Sequence, residues 1–312
     1  MENIKGLIGN TPIIKINYEY KNKILSAFFK AEWYNLTGSI KDRVALNIIK
    51  EGYDNGRLKP KQEIVEVTSG NMGISLTAIG VLLGHKVTIF MPKKMSNERK
   101  LLLKLYGANL IETEGFEEAF ELSEKYAKEK SAFIAHQFEN VSNANAHKST
   151  TAVEILNQIK DKINGFIAGV GTSGTLSGVG SVLKEKLGIK LFALEPESSK
   201  LFSTGKTHGE HKLQGLSDNI IPKLYNPKIV DEIISVSDDD AIAMAQKLSK
   251  ELGLGVGISS GANFVGVVLS GLNNMVSVFA DDNKKYLSTD LAKPISTNLV
   301  ENIKLINYEI IR

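Results

Sequence analysis

The 312-residue chain contains no cysteine. That absence removes disulfides, thiolate metal sites and cysteine nucleophiles together. Long apolar runs are missing as well. No stretch could span a bilayer, and the opening Met1-Glu2-Asn3-Ile4-Lys5-Gly6 has no apolar signal core. The expectation is a cytoplasmic protein with no membrane partner. An excess of one charge sign is also lacking: 38 Lys and Arg stand against 35 Asp and Glu, interspersed without basic runs. Nothing therefore points to nucleic acid. Histidines number only five. His208 and His211 are three apart but have no thiolate or clear acidic companion, so no metal site is expected.

What is present suits a folded core, with 42% hydrophobic and 23% charged residues. Strand-like segments near 63–67, 86–91, 109–112 and 132–136 alternate with helical stretches. A second series places strands near 166–170, 189–194, 229–236 and 275–279. Alternation of this kind predicts α/β architecture with mostly parallel sheets flanked by helices. The break near residue 145 predicts two domains: 38–145 as the smaller, with 1–37 and 146–312 as the larger. The tail after Leu291 is weakly patterned.

Three windows combine chemistry with helix starts. In Asn35-Leu36-Thr37-Gly38-Ser39-Ile40-Lys41-Asp42-Arg43, turn formers lead into Ser39, a good N-cap, with Asp42 three positions later. Lys41 then sits in a helical first turn, where backbone N–H groups disfavour a cation and bias the amine towards Schiff-base chemistry. Gly169-Val170-Gly171-Thr172-Ser173-Gly174-Thr175 follows a strand and opens a helix, an anion-binding arrangement. Gly169, Gly171 and Gly174 match a dinucleotide fingerprint, with Glu195 as a candidate ribose-binding acid. A phosphate monoester fits the same turn. Thr68-Ser69-Gly70-Asn71-Met72-Gly73 forms a second strand-to-helix loop, with hydroxyls and an amide but no basic residue. That suits a carboxylate held by backbone N–H groups. Two anion sites and a candidate Schiff-base lysine favour an amino-acid enzyme using pyridoxal phosphate. A dinucleotide-binding oxidoreductase is the alternative.

Several motifs run in order along the chain: Gly9-Asn10-Thr11-Pro12, Thr37 to Arg43, Thr68-Ser69-Gly70-Asn71, Gln137-Phe138 with Asn140 and Asn143, Gly171 to Thr175, His211 to Gly215, Gly257 to Gly261 and Tyr286-Leu287-Ser288-Thr289. In this the chain resembles the cysteine synthase (O-acetylserine sulfhydrylase) and cystathionine β-synthase family of pyridoxal-phosphate enzymes.

The resemblance implies a tryptophan-synthase-β-like fold and β-replacement or β-elimination on serine-type amino acids through an aminoacrylate. It implies pyridoxal 5'-phosphate as cofactor, a small amino acid with sulfide or a thiol as substrates, and a homodimer. By resemblance Lys41 carries the cofactor and moves protons at the substrate Cα. Gly171, Thr172, Ser173, Gly174 and Thr175 hold the phosphate, Asn71 the ring hydroxyl and Ser259 the pyridine nitrogen. Thr68, Ser69, Gly70, Met72 and Gln137 receive the substrate carboxylate. Departures from the family pattern include Met72 for Thr, Leu36 for Pro, and Gly215-Leu216-Ser217-Asp218-Asn219 in place of small residues. Asp218 is a candidate general acid or base near the β-carbon, which points to cysteine as substrate, with sulfide release and formation of serine or lanthionine.

Overall fold

The computed structural model describes residues 4, 6–206, 209–217 and 220–312. The candidate base Asp218 and the histidine His208 lie outside them. Alternating apolar residues bury one face of β1 (Ile13–Tyr20), whose Ile14, Ile16 and Tyr18 face the core. The two-residue turn Lys21-Asn22, both at positive φ, returns the chain antiparallel as β2 (Lys23–Ala31). Next come α1 (Lys41–Asp54), β3 (Ile64–Val67), α2 (Asn71–Leu82), β4 (Val87–Pro92), α3 (Asn97–Leu105), β5 (Asn109–Thr113), α4 (Phe116–Lys130) and β6 (Phe133–Ile134). The strands of this run pair parallel in a four-stranded sheet, β5-β4-β3-β6.

The chain continues as α5 (Val141–Ala146) and α6 (Ala152–Gln158), joined by a π-helical segment His147–Thr151. The second series supplies β7 (Gly165–Gly169), α7 (Gly174–Leu187), β8 (Lys190–Pro196), β9 (Glu232–Val236), α8 (Asp238–Leu252), α9 (Ile258–Ser270) and β10 (Met275–Phe279). A final strand β11 (Lys304–Ile311) closes a seven-stranded sheet, β11-β1-β2-β10-β7-β8-β9. Only the pairs made by β1 are antiparallel. The architecture is thus α/β, with two mostly parallel sheets covered by helices. The strand β11 escapes sequence patterning because it is an edge strand, mostly exposed on both faces, so no alternation marks it.

The largest apolar cluster lies between the seven-stranded sheet and α8 and α9. Phe29 stacks on Phe279 at 4.2 Å and on Phe264 at 5.1 Å, tying β2, β10 and α9 together. A separate cluster packs α1 and α2 against the four-stranded sheet, with Ile48, Ile74 and Ile89 fully buried. In open parallel sheets the strands' C-terminal ends face the crevice where ligands bind. Here those ends belong to β3, β7 and β10.

Candidate active site

Loops from both sheets meet in one cleft. It is lined by Thr68, Ser69, Asn71 and Met72 after β3, by Gly171 to Thr175 after β7, and by Lys41, Gln137 and Ser259. Gly70 stands just behind this wall. Every described residue expected to hold the cofactor or the substrate carboxylate is therefore gathered in or just behind one cleft, from five separate parts of the chain.

Lys41 opens α1, as its first-turn position predicts, and its Nζ lies 3.4 Å from Thr172 Oγ1. The capping differs from expectation. The N-cap residue is Ile40, and Ser39 Oγ accepts from Lys41 N at 3.3 Å. Asp42 does not reach back to Ser39. Its carboxylate accepts instead from Thr37 N at 2.7 Å and Thr37 Oγ1 at 2.6 Å, because the turn at Gly38 brings both donors onto its side. Ile40 N donates to Ala280 O at 2.9 Å, which anchors the start of α1 to the end of β10.

The glycine turn is built for close approach. Ser173 adopts a left-handed backbone as N-cap of α7, whose first-turn N–H groups lack helical partners. A Cβ on Gly174 would stand 1.9 Å from Asn143 Oδ1, so no larger residue fits. Asn143 Nδ2 donates to Thr172 Oγ1 at 2.9 Å and to Gln137 O at 2.8 Å, joining the turn to the opposite wall. His147, in the π segment, contacts Thr175 Oγ1 at 3.3 Å and Thr151 Oγ1 at 3.0 Å. Burial, with the Lys41 and Arg43 charges close by, holds its imidazole well below the usual range, so it is neutral near pH 7.

The second loop has a neighbour that the sequence does not announce. Arg99 on α3 is 1% exposed and lines the cleft. Its side chain lies so close behind Gly70 (φ 148°) that a Cβ there would be 2.2 Å from Arg99 Cδ. Arg99 donates to Gln214 Oε1 and, at 2.7 Å, to the Tyr286 hydroxyl, and its guanidinium lies over the Tyr286 ring. The expectation of no basic residue at this loop holds only locally; the fold brings one in from 29 positions beyond Gly70. Glu66 is the other hidden group. Its carboxyl accepts from Val67 N at 2.8 Å and Gln137 N at 3.1 Å, linking two elements of the carboxylate site. Burial pushes it up to about 8, and the two backbone donors and the Lys41 charge pull down only in part. Near pH 7 it is therefore mostly neutral. Met72 is 1% exposed and packs into the core of the four-stranded sheet, leaving its backbone N–H at the helix start.

Glu195 overturns the dinucleotide alternative. It is fully buried, and its oxygens accept from Phe202 N at 2.8 Å, from Ser203 N at 3.2 Å and from the hydroxyls of Ser203 and Ser235. The acid caps the turn Leu201–Thr204 and is absent from the cleft, so it is no ribose ligand.

The residues present fit pyridoxal phosphate. The turn is shaped for an anion, the lysine is beside it, and Asn71 Oδ1 and Asn143 Oδ1 are buried without a partner among the described residues. Comparison with known proteins agrees. The family described as "Pyridoxal-phosphate dependent enzyme" matches residues 4–280. Cysteine synthase of Staphylococcus aureus (strain N315) is 41% identical over 301 residues, 93% of this chain and 97% of its own. Cysteine synthase B of Campylobacter jejuni is 43% identical over 299 residues, 93% of this chain and 98% of its own. A hydrogen sulfide-producing enzyme of Fusobacterium nucleatum superposes with a TM-score of 0.95 at 42% identity, covering 100% of this chain and 98% of the other. An aspartate-to-asparagine variant of that enzyme, solved with an α-aminoacrylate intermediate, also gives 0.95 at 42%, with 98% and 96% covered. The chain belongs to the pyridoxal-phosphate dependent enzymes, in the cysteine synthase group that carries out β-replacement in sulfur amino-acid metabolism.

Proposed function

We propose that Lys41 carries the pyridoxal 5'-phosphate, with Gly171 to Thr175 on the phosphate, Asn71 on the ring hydroxyl and Ser259 on the ring nitrogen. Thr68, Ser69, Gly70, Met72 and Gln137 receive the substrate carboxylate. One observation carries this reading: the Lys41 amine is 3.4 Å from Thr172 Oγ1, inside the glycine turn, and the carboxylate loop lines the same cleft. When bound, the cofactor supplies an electron sink at the substrate Cα. The chain's own groups do the rest. Lys41 takes and returns the Cα proton. The first-turn N–H groups of α2 and the Gln137 amide orient the carboxylate. Neutral Glu66 keeps a second negative charge from standing behind it. The Ser259 hydroxyl, unlike a carboxylate, leaves the ring nitrogen unprotonated, which favours loss of a β-substituent over a long-lived carbanion.

The favoured substrate is cysteine. Its Cβ–S bond breaks, sulfide leaves, and water or the thiol of a second cysteine adds at Cβ, giving serine or lanthionine. Support comes from the acid Asp218 at a position where the resembled family has a small residue, and from the likeness to the sulfide-producing enzyme. Asp218 then activates the incoming water or thiol. The segment 38–145 acts as the domain that closes over the substrate, and the working form is a cytoplasmic homodimer. Titration of the yellow holoenzyme with cysteine, serine and O-acetylserine, with sulfide measured in parallel, tests the reading. Cysteine should release sulfide, and Asp218→Asn should slow that release; sulfide formation unchanged in the variant would refute the assigned base. Borohydride reduction that labels a residue other than Lys41 would refute the site.

A further inference from the structure

Asp281 follows β10 and is 0% exposed. Its Oδ2 accepts from Asn71 Nδ2 at 2.8 Å and from the Tyr286 hydroxyl at 2.8 Å, and Arg99 Nη2 stands 3.8 Å away. Room for this carboxylate is reserved by Gly257, where a Cβ would meet Asp281 Oδ1 at 2.0 Å and the Tyr286 ring at 2.7 Å. The same segment pairs with the start of α1 through the Ser39–Asp281 bridge. Asp281 thus touches the two elements that carry Lys41 and Asn71, one through its backbone and one through its side chain.

A side-chain amide can present either end to a ligand. A carboxylate accepts only, so Asp281 requires the nitrogen end of Asn71 to face it. That nitrogen has a second hydrogen, while Asn71 Oδ1 has no partner among the described residues. The cofactor's phenolic oxygen needs a donor. With one amide hydrogen held by the carboxylate, the second is the donor left for that oxygen.

We propose that Asp281 is a positioning residue that fixes the Asn71 amide with its nitrogen towards the cofactor's phenolic oxygen, with Tyr286 and Arg99 holding Asp281 in place. The proposal rests on the assignment of Asn71 to the ring hydroxyl. The test compares two cofactors on the apoenzyme: pyridoxal 5'-phosphate and 3-deoxypyridoxal 5'-phosphate, which lacks that hydroxyl. Binding is read from quenching of Trp33, the only tryptophan. Asp281→Asn should weaken pyridoxal phosphate about tenfold, as expected for loss of one charge-assisted bond, and leave the deoxy analogue within about twofold. Equal weakening of both cofactors would reduce Asp281 to a purely structural group and overturn the proposal. If that variant does not fold, Tyr286→Phe, which removes one donor to Asp281, should show the same selectivity at about threefold. Asn71→Ala serves as reference. Selectivity in Asn71→Ala but in neither other variant overturns the role of Asp281 alone. Absence of selectivity in Asn71→Ala overturns the Asn71 assignment and this proposal with it.

Discussion

Two buried arginines sit in this molecule and face opposite demands. Arg43, near the start of α1, is 3% exposed and enclosed by acids. It bonds Glu32 through Nε at 2.7 Å and Nη2 at 2.9 Å, and Glu154 through Nη1 at 2.6 Å and Nη2 at 2.8 Å. Thr11 and Lys30 complete the cluster. Against the cost of burial, Glu32 and Glu154 raise the guanidinium further above its usual range. Burial alone would raise Glu32, but the Arg43 charge and its bonds hold it below the ordinary carboxylate value. Arg99 has a poorer set. Among the described residues its nearest carboxylate is at 3.8 Å, and its Nε, with Asp281 Oδ1 and Asn71 Oδ1, is buried without a partner. The difference separates scaffold from site. A cluster whose donors and acceptors match internally holds the chain's shape, whereas one with valences left over is built around something that binds.

Four measurements put that contrast to the test. The largest effect belongs to Arg43→Ala, which leaves Glu32 and Glu154 buried without their cation. It should cost about 3–5 kcal/mol of unfolding free energy, with an equal fall in Tm with and without pyridoxal phosphate. A loss seen only in the holoenzyme would erase the distinction between the clusters.

Next is Glu66, whose effect depends on pH. Its folded pKa, about 8, lies above the ordinary 4.5, so the folded protein binds more protons across that window. Its contribution to stability therefore declines as pH rises from about 4.5 and is fully lost above about 8, and the stretch between pH 6 and pH 8 accounts for roughly 3 kcal/mol of that loss. Glu66→Gln cannot ionise, so its Tm should fall less steeply than the parent's between pH 6 and pH 9. Parallel profiles would place Glu66 in its ionised form throughout.

Gly174→Ala drives a methyl into Asn143 and should weaken pyridoxal phosphate by about 1–3 kcal/mol, read by apoenzyme titration. Smallest is Arg99→Met, which keeps the stem's packing behind Gly70. It should lower Tm by an amount corresponding to about 1–2 kcal/mol, with most of the loss appearing only when cofactor is bound. An equal loss in the apoenzyme would make Arg99 scaffold like Arg43.

Much of this was legible in the residues, for definite reasons. The segment Met275–Phe279, apolar but for Ser277, is a strand buried on both faces, and it lies where such a run predicts. The glycine turn and Lys41 were found because local chemistry (glycine, hydroxyls, a helix start) marks them. Arg99 carried no such mark. Its partners Gln214, Asp281 and Tyr286 are 115, 182 and 187 positions away, beyond any local signal. Glu195 misled for the complementary reason: its spacing suits a ribose ligand, but neighbouring N–H groups and hydroxyls consume its oxygens.

The residues by themselves set the alternation of strands and helices, the two anion-binding helix starts and the first-turn lysine ahead of them. Each depends on periodicity, turn chemistry or capping within a few residues, which operate wherever the segment lies. Tertiary structure decided which buried charges are satisfied, which face the cleft, and which way the Asn71 amide points. Those outcomes depend on which side chains the fold brings together, from 7 positions apart for Glu195 and Phe202 to 210 for Asn71 and Asp281, and no local pattern encodes them.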